Sequence, residues 1–447
     1  MMISNKLPGL FLMLLGFLFF SNISAQVIPV TMQQDAEGKW QMFRAGKPYF
    51  VQGVGGSVNL EKAVAIGANS FRTWSSDNAD ELLDKAQSLG LTVLMGLWMQ
   101  HERHGFDYNN KEKVKQQLNY FRQIVEKYKD HPALLAWGVG NEVDLFYTNT
   151  NVWYAVNDVA AMIHEIDPNH PTMTVTAGLD TTEVRLIMER APAIDIYGIN
   201  TYGDLGSVYD KIRTTKWDKP YMITEWGPNG HWEVSKTIWG APVEQSSTEK
   251  AISYKERYIQ FIQGDAQKCI GSYVFLWGQK QETTATWYGL FNENGLSSQA
   301  IDELERIWTQ KEPINVAPII TSANLNGRQK GDSILVTPFS ACNASVIASD
   351  GDNDKLRYHW EIVYESQDIK SGGDAESKPP AVKGLSIRVK KNTVRFKAPD
   401  QEGAYRLYLF IYDKNGHYAY QNIPFYVLPQ SGDNSAMPAI GFKKITL

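Results

Sequence analysis

The chain has 447 residues, which is more than a usual single domain, so we expect one large domain and a smaller one. A net charge of −5 provides no basic surface, which argues against nucleic acid as a partner. The 13 tryptophans and 22 tyrosines are numerous, and exposed aromatic rings suit a protein that stacks flat ligands.

Residues 1–25 have the pattern of a secretory signal peptide. Lys6 supplies the positive start, residues 9–20 form the apolar segment, and Ser24-Ala25 ends the pattern with small residues. The apolar segment is short for a membrane span, which needs ~20 residues. We therefore expect a periplasmic or secreted protein with no membrane attachment after cleavage. Only Cys269 and Cys342 occur, and we expect both to be free and buried.

From residue 49 onward, apolar runs of strand length alternate with segments of helical periodicity. Each apolar run is nearly continuous, as in parallel strands that are buried on both faces. Eight such runs predict a (β/α)8 TIM barrel within residues 26–310, preceded by short strands. The predicted barrel strands are 49–54, 68–74, 91–98, 134–139, 172–176, 194–199, 221–224 and 271–277.

The alternation of strands and helices stops after the eighth helix. Residues 311–318 contain two prolines and predict a linker. Residues 319–430 contain only strand patterns with turn signals, which predicts an immunoglobulin-like β-sandwich, and residues 431–447 form a tail.

Two glutamates directly follow or end predicted barrel strands. Glu142 stands in Gly-Asn-Glu-Val-Asp after the fourth strand, and Glu225 stands in Ile-Thr-Glu-Trp-Gly at the end of the seventh. TIM-barrel enzymes carry their reactive groups at the carboxyl ends of the strands. Because two facing carboxyls are the minimal equipment for cleaving a glycosidic bond, the pair indicates a glycosidase.

These strings strongly resemble glycoside hydrolase clan A, over about residues 40–310. In that clan an Asn-Glu dipeptide closes strand four and the nucleophile closes strand seven. The resemblance implies that Glu142 is the acid/base, that Glu225 is the nucleophile, and that Asn141 bonds the sugar 2-hydroxyl. It also implies that the reaction retains the anomeric configuration.

Three further residues are in register with the same clan. Arg72 in Ala-Asn-Ser-Phe-Arg matches the arginine that supports the nucleophile. Tyr202 in Gly-Ile-Asn-Thr-Tyr matches the tyrosine that contacts it. Trp277 matches the aromatic floor of the cleavage subsite.

The architecture is most similar to the endo-β-1,3-glucanases of glycoside hydrolase family 158. This resemblance implies a cofactor-free, retaining endo-glycosidase that acts on a β-glucan polysaccharide or oligosaccharide. The alternatives are another clan A activity (a β-mannanase, a β-1,4-glucanase, an exo-β-glycosidase or a transglycosylase) or a non-catalytic glycan-binding barrel. We expect a monomer.

The segment 227–250 is long for a connection between a strand and a helix, where ~2–6 residues are usual. It contains Trp232 and Trp239, which we expect to act as stacking platforms for the glycan. His101 and His104 are only three residues apart in a loop, whereas a helical zinc site of the His-Glu-x-x-His type needs a spacing of four. We therefore expect no metal, and we assign His101 to the lining of the cleft.

Overall fold

The computed structural model describes residues 27–265, 267–385 and 387–430. The predicted signal peptide and the predicted tail lie outside the described residues.

A small antiparallel sheet precedes the barrel and closes its lower end. Its strands are β1 (Val30–Gln34), β2 (Trp40–Arg44) and β3 (Lys47–Pro48). Val30 and Met42 are buried in the same apolar cluster as Leu94, Met173 and Met222, which lie near the starts of three barrel strands. The sheet therefore covers the amino-terminal end of the barrel and leaves the opposite end open.

Eight parallel strands form a closed barrel, in the order β4 to β11 and back to β4. They are β4 (Val51–Gly55), β5 (Ser70–Arg72), β6 (Thr92–Leu97), β7 (Leu134–Val139), β8 (Thr172–Ala177), β9 (Ile196–Asn200), β10 (Tyr221–Trp226) and β11 (Cys269–Val274). The helices are α1 (Leu60–Ala65), α2 (Ala79–Leu89), α3 (Lys111–Tyr128), α4 (Val152–Ile166), α5 (Thr181–Arg190), α6 (Leu205–Thr214), α7 (Ser247–Arg257) and α8 (Gln299–Thr309). The predicted TIM barrel is confirmed.

The sequence explains why these segments become buried parallel strands. Every residue of β7 and β10 is buried, because the helices cover one face and the barrel interior covers the other. The end of the eighth strand was predicted wrongly, since β11 ends at Val274 rather than at Trp277. The chain turns there, although its sequence stays apolar and aromatic.

The carboxyl-terminal domain is a β-sandwich, as predicted. One sheet contains β13 (Ile319–Leu325), β15 (Ala341–Ser349), β18 (Thr393–Lys397) and β17 (Arg388–Lys390) in that order. The other runs β12 (Ser297–Ser298), β20 (His417–Val427), β19 (Gly403–Tyr412) and β16 (Arg357–Tyr364), with β14 (Ile334–Val336) also paired to β20. One apolar core, which includes Trp360, Phe396 and Phe425, joins the two sheets.

The barrel and the sandwich share a buried polar network. Lys250 on α7 forms an ion pair with Glu244 at 2.5 Å, and both side chains are at most 3% exposed. Glu244 also accepts hydrogen bonds from Thr284 and from Asn422, which lies on β20 of the sandwich. Since Glu244 ends the long segment that follows β10, this network attaches that segment to the second domain.

The cysteines and the lengths of the helices are two further features of the described residues. Cys269 and Cys342 are both free and buried, as predicted. Across the described ranges, the helices are too short or too polar to cross a bilayer.

The buried ion pair yields a prediction about stability. Lys250→Met leaves the charge of Glu244 buried without its cation, so we expect a loss of about 3–5 kcal/mol in the free energy of unfolding. Urea denaturation followed by circular dichroism measures this loss. Lys255→Met is the matched control, because Lys255 is half-exposed and its partner Glu303 is 3.4 Å away. That variant should lose at most about 1 kcal/mol. Equal losses of unfolding free energy in both variants would contradict the conclusion that the buried Lys250–Glu244 pair stabilises the fold.

Candidate active site

The two glutamates lie at the open end of the barrel and line one pocket. Glu225 belongs to β10, and Glu142 follows β7 after a sharp turn. Gly140 and Glu142 have φ values of 78° and 49°, in the left-handed region. Such a conformation costs a non-glycine residue about 1–3 kcal/mol. The backbone N–H of Glu142 donates to the carbonyl of Val175 at 2.9 Å, which holds the turn in place.

Three donors surround the carboxylate of Glu225. Arg72 Nη1 and Trp74 Nε1 donate to Oε1 at 3.1 and 2.8 Å, and the Tyr202 hydroxyl donates to Oε2 at 2.9 Å. Charged and neutral donors aimed at a carboxylate stabilise its negative charge. The three donors therefore hold both oxygens of Glu225 in position.

Glu142 has a different environment. Its Oε1 accepts a hydrogen bond from Asn200 Nδ2 at 2.8 Å. Burial, and then the negative charge of Glu225, raise the pKa of Glu142 to about 7. One carboxyl is thus surrounded by three donors, while the pKa of the other is raised toward neutral pH, which is the pattern that separates a nucleophile from a general acid.

Arg72 connects the two carboxyl environments. Its Nη2 donates to Asn141 Oδ1 at 2.6 Å, and its Nη1 lies 2.9 Å from the Thr224 carbonyl and 3.3 Å from Asn200 Oδ1. Asn141 Oδ1 also accepts from Asn200 Nδ2 at 3.2 Å. Because the oxygen of Asn141 is occupied by these donors, its amide nitrogen is the group left to meet a ligand.

The pocket has a volume of about 270 Å³. Its lining combines aromatic walls with carboxyls, as ligand sites in barrel enzymes do. The lining residues are Trp74, Trp98, Asn141, Glu142, Tyr202, Glu225, Trp232, Phe275, Leu276, Lys280, Glu282, Gly372 and Gly373.

Most of the residues named from the sequence come together here. Asn141, Tyr202 and Trp232 line the pocket beside the two glutamates, and Arg72 contacts Glu225 from behind. Trp232 is 57% exposed and packs edge-on against Tyr202 at a centroid distance of 5.8 Å. It is therefore placed where a stacking platform could act.

Trp277 was assigned wrongly as the floor of the site. It is 1% exposed, its indole nitrogen donates to the Val58 carbonyl at 2.7 Å, and its ring packs edge-on against Phe291. Since β11 ends three residues before Trp277, the aromatic ring that the segment after β11 places on the pocket wall is that of Phe275.

Trp239 and His101 also lie outside the pocket lining. Trp239 packs against Tyr426 of the sandwich at 5.8 Å, so it contributes to the domain interface and not to a glycan platform. His101 is 1% exposed, and its Nε2 lies 2.7 Å from the backbone oxygen of Asn141. Burial lowers the pKa of His101, so its ring supports the Asn141 turn from behind as a neutral group.

Several residues that line the pocket or contact its carboxyls were missed by the sequence reasoning. Trp74 lies two residues after Arg72, and Asn200 lies two residues before Tyr202, at the carboxyl ends of β5 and β9. A search of the residues at the carboxyl ends of the predicted strands could therefore have found both. Lys280 and Glu282 follow β11 and form an ion pair at 2.8 Å. Gly372 and Gly373 belong to the sandwich, and no local sequence signal placed them at the barrel.

Carboxyl groups outnumber cations in the pocket lining. Glu142, Glu225 and Glu282 contribute three carboxyls, whereas Lys280 is the cation of the lining and is already paired with Glu282. The guanidinium of Arg72 is likewise engaged with Glu225. Within the described residues, no group of three or more histidine, cysteine, aspartate or glutamate side chains is arranged to hold a metal ion.

Residues 57–246 match the family model described as glycosyl hydrolases family 2, TIM barrel domain. The human β-glucuronidase is 23% identical over 234 residues, which cover 45% of this chain and 34% of that protein. The chain thus spans about a third of the length of that curated relative. A mannan endo-1,4-β-mannosidase F from Aspergillus clavatus is 36% identical over 76 residues, 17% of each chain.

Among solved structures, the β-glucuronidase of Bacteroides uniformis is similar at 13% identity with a TM-score of 0.49. That match covers 90% of this chain and 48% of that one. The family model and the curated relatives support a clan A glycoside hydrolase, and they give no support to family 158 in particular.

The charge coupling between the glutamates yields a prediction about titration. Glu225→Gln removes the negative charge that disfavours ionisation of Glu142, so we expect the pKa of Glu142 to fall from about 7. Carbon-13 NMR of a glutamate-labelled protein measures the shift. Glu256→Gln, an exposed change on α7, should leave the pKa of Glu142 where it was. A Glu142 pKa that is the same in Glu225→Gln and wild type would show that the two groups do not interact.

Proposed function

We propose that the protein is a retaining β-glycosidase in which Glu225 is the nucleophile and Glu142 is the acid/base. The proposal rests on the different environments of the two carboxyls in one pocket. Glu225 receives three donors, whereas the pKa of Glu142 is raised to about 7 by burial and by the charge of Glu225. That division of roles is what a double displacement needs.

In the first step an oxygen of Glu225 attacks the anomeric carbon while the bond to the leaving oxygen breaks. Glu142 gives its proton to that oxygen, so the leaving sugar departs as an alcohol. In the second step Glu142 takes a proton from water. The water oxygen then attacks the anomeric carbon, the bond to Glu225 breaks, and both carboxyls return to their starting states.

The surrounding residues hold the reacting atoms in place. Arg72 and Tyr202 fix the two oxygens of Glu225 from different sides, so that the attacking oxygen has a defined direction. The amide nitrogen of Asn141 is available to donate to the 2-hydroxyl of the sugar, because Arg72 and Asn200 occupy its oxygen. Such positioning contributes to the rate by reducing the loss of orientational freedom in the reaction.

The charge of the pocket favours a neutral sugar. A uronic acid would bring a carboxylate next to three carboxyls, and the nearby cations Lys280 and Arg72 already have carboxylate partners. We therefore propose a neutral β-glycan as substrate, with β-glucan as one member of that class. This broader proposal replaces the narrower endo-β-1,3-glucanase activity.

Two further expectations remain proposals. Export to the periplasm or the exterior depends on residues 1–25, which lie outside the described residues. Action as a monomer is proposed from the sequence alone.

Removal of either carboxyl tests the assigned roles. Glu142→Ala should lower kcat by about 10²–10⁴-fold, since it removes acid–base catalysis. Glu225→Ala should abolish hydrolysis. Added azide should restore turnover in both variants, giving an α-glycosyl azide with Glu225→Ala and a β-glycosyl azide with Glu142→Ala. Product configuration is read by proton NMR on an aryl β-glycoside.

Glu256→Ala is the control for these variants and should behave as wild type. If both carboxyl variants keep activity within about tenfold of wild type, the assignment is wrong. If wild type turns over no glycoside at all, the non-catalytic glycan-binding barrel becomes the better reading.

The charge argument predicts substrate preference. The best neutral aryl β-glycoside (glucoside, mannoside or galactoside) should exceed the aryl β-glucuronide in kcat/KM by at least about tenfold, equivalent to ~1.4 kcal/mol. Glu282→Gln removes one carboxylate and leaves Lys280 without its partner, so the ratio of kcat/KM for the neutral glycoside to kcat/KM for the glucuronide should fall. Glu256→Gln should leave the ratio unchanged. A wild-type preference for the glucuronide would overturn the proposal of a neutral sugar.

A further inference from the structure

The strap, defined here as residues 371–376 of the sandwich, lies in the loop between β16 and β17. We propose that the strap closes the glycone end of the pocket, so that the enzyme removes sugars from the non-reducing end of a chain and does not cleave internal bonds. The glycone is the sugar that becomes attached to Glu225. The inference rests on the proposed function and specifies which part of a glycan can enter.

One side of the strap is attached to the loop after β6. Arg103 Nη1 and Nη2 donate to the two carboxylate oxygens of Asp374 at 2.8 and 3.1 Å. Arg103 also donates to the carbonyl of Gly372 at 3.3 Å, and His104 Nε2 lies 3.3 Å from Asp374. A bidentate arginine–carboxylate pair fixes orientation as well as distance.

The other side is attached to the loop after β11. Lys280 Nζ donates to the carbonyl of Gly373 at 2.8 Å, and the backbone N–H of Thr283 donates to Glu376 Oε2 at 2.6 Å. Within the same loop, Glu376 Oε1 accepts from the backbone N–H of Lys370 at 2.9 Å. The strap is thus held from two sides, by the loop after β6 and by the loop after β11.

Two glycines allow the backbone of the strap to reach the barrel rim. Gly372 and Gly373 have φ values of 64° and 71°, and both line the pocket. A Cβ on Gly372 would lie 2.5 Å from Leu145 Cδ2 and 2.9 Å from Arg103 Nη2. Since Leu145 follows Glu142 closely in the chain, the strap approaches the rim beside the acid/base.

The topology places the strap on a definite side of the pocket. The barrel order from β11 through β4, β5 and β6 to β7 means that a segment touching the loops after β11, β6 and β7 spans the edge formed by β4 and β5. Arg72 and Trp74, which hold Glu225, come from the end of β5. The strap therefore lies over β4 and β5, across the barrel from Tyr202, which follows β9, and we assign this side of the pocket to the glycone.

The opposite side of the pocket carries an exposed aromatic ring. Trp232, 57% exposed, stands beyond Tyr202 in the segment after β10 and is placed to contact the leaving sugar. The volume of about 270 Å³ lies below the ~300–1,000 Å³ of usual ligand pockets, so few sugar units fit at once. A chain that continued beyond the glycone would meet the backbone of Gly372 and Gly373.

The pattern of products tests the inference directly. Neutral β-linked oligosaccharides labelled at the reducing end are incubated with the full-length protein, and early products are separated by chromatography. We expect the labelled chain to shorten from its non-reducing end, and we expect no cleavage when that end is capped by a 4,6-acetal. Internal fragments at early times, or cleavage of the capped chain at the rate of the free one, would overturn the inference.

A variant of the strap tests whether the strap is what prevents cleavage of capped chains. In Asp374→Ala/Glu376→Ala the attachments to Arg103 and Thr283 are lost, and the ratio of capped-chain to free-chain hydrolysis should rise at least about tenfold, ~1.4 kcal/mol. Asp400→Ala, an exposed change in the same domain, is the matched control and should keep the wild-type ratio. An unchanged ratio in the double variant, with thermal unfolding like that of the control, would show that the strap is not the barrier.

These results separate the two proposals. Hydrolysis of an aryl β-glycoside with internal cleavage of oligosaccharides would refute only the role of the strap. Failure to hydrolyse any aryl β-glycoside would refute the proposed function itself.

Discussion

The buried guanidinium of Arg72 is the group on which the geometry of the site depends. It is 3% exposed, and a cation removed from water in this way is stable only when it is paired and fully hydrogen-bonded. Its partners are Glu225, Asn141, Asn200 and the carbonyl of Thr224. Because losing one partner of a buried ion pair costs about 3–5 kcal/mol, these groups constrain each other. One charge on β5 thus orients groups at the ends of β7, β9 and β10.

The second domain has a direct part in shaping the pocket. The network around Glu244 and Lys250 attaches the segment after β10 to β20, and the strap brings Gly372 and Gly373 to the rim. The barrel therefore sets the positions of the two glutamates, while the sandwich contributes two glycines to the lining around them.

The parts of the structure that could be predicted from the sequence are those with local causes. The run 134–139 has the same limits in prediction and structure, because a strand buried on both faces is apolar from end to end. Trp277 was misplaced because apolar character continues past the end of β11 and does not mark where the chain turns. Trp239 and the strap depend on contacts between residues far apart in sequence, such as Arg103 with Asp374, for which a single sequence has no periodic signal.

The family match ends at residue 246 and so includes only some of the residues that form the site. Residues 57–246 include both glutamates, Arg72, Asn141 and Tyr202, which together account for the proposed bond cleavage. Phe275, Lys280, Glu282 and the two glycines of the strap also line the pocket, but they all lie beyond residue 246. A resemblance confined to residues 57–246 therefore includes the groups of the proposed reaction, whereas Lys280 and Glu282, on which the proposed preference for a neutral sugar also depends, lie outside it.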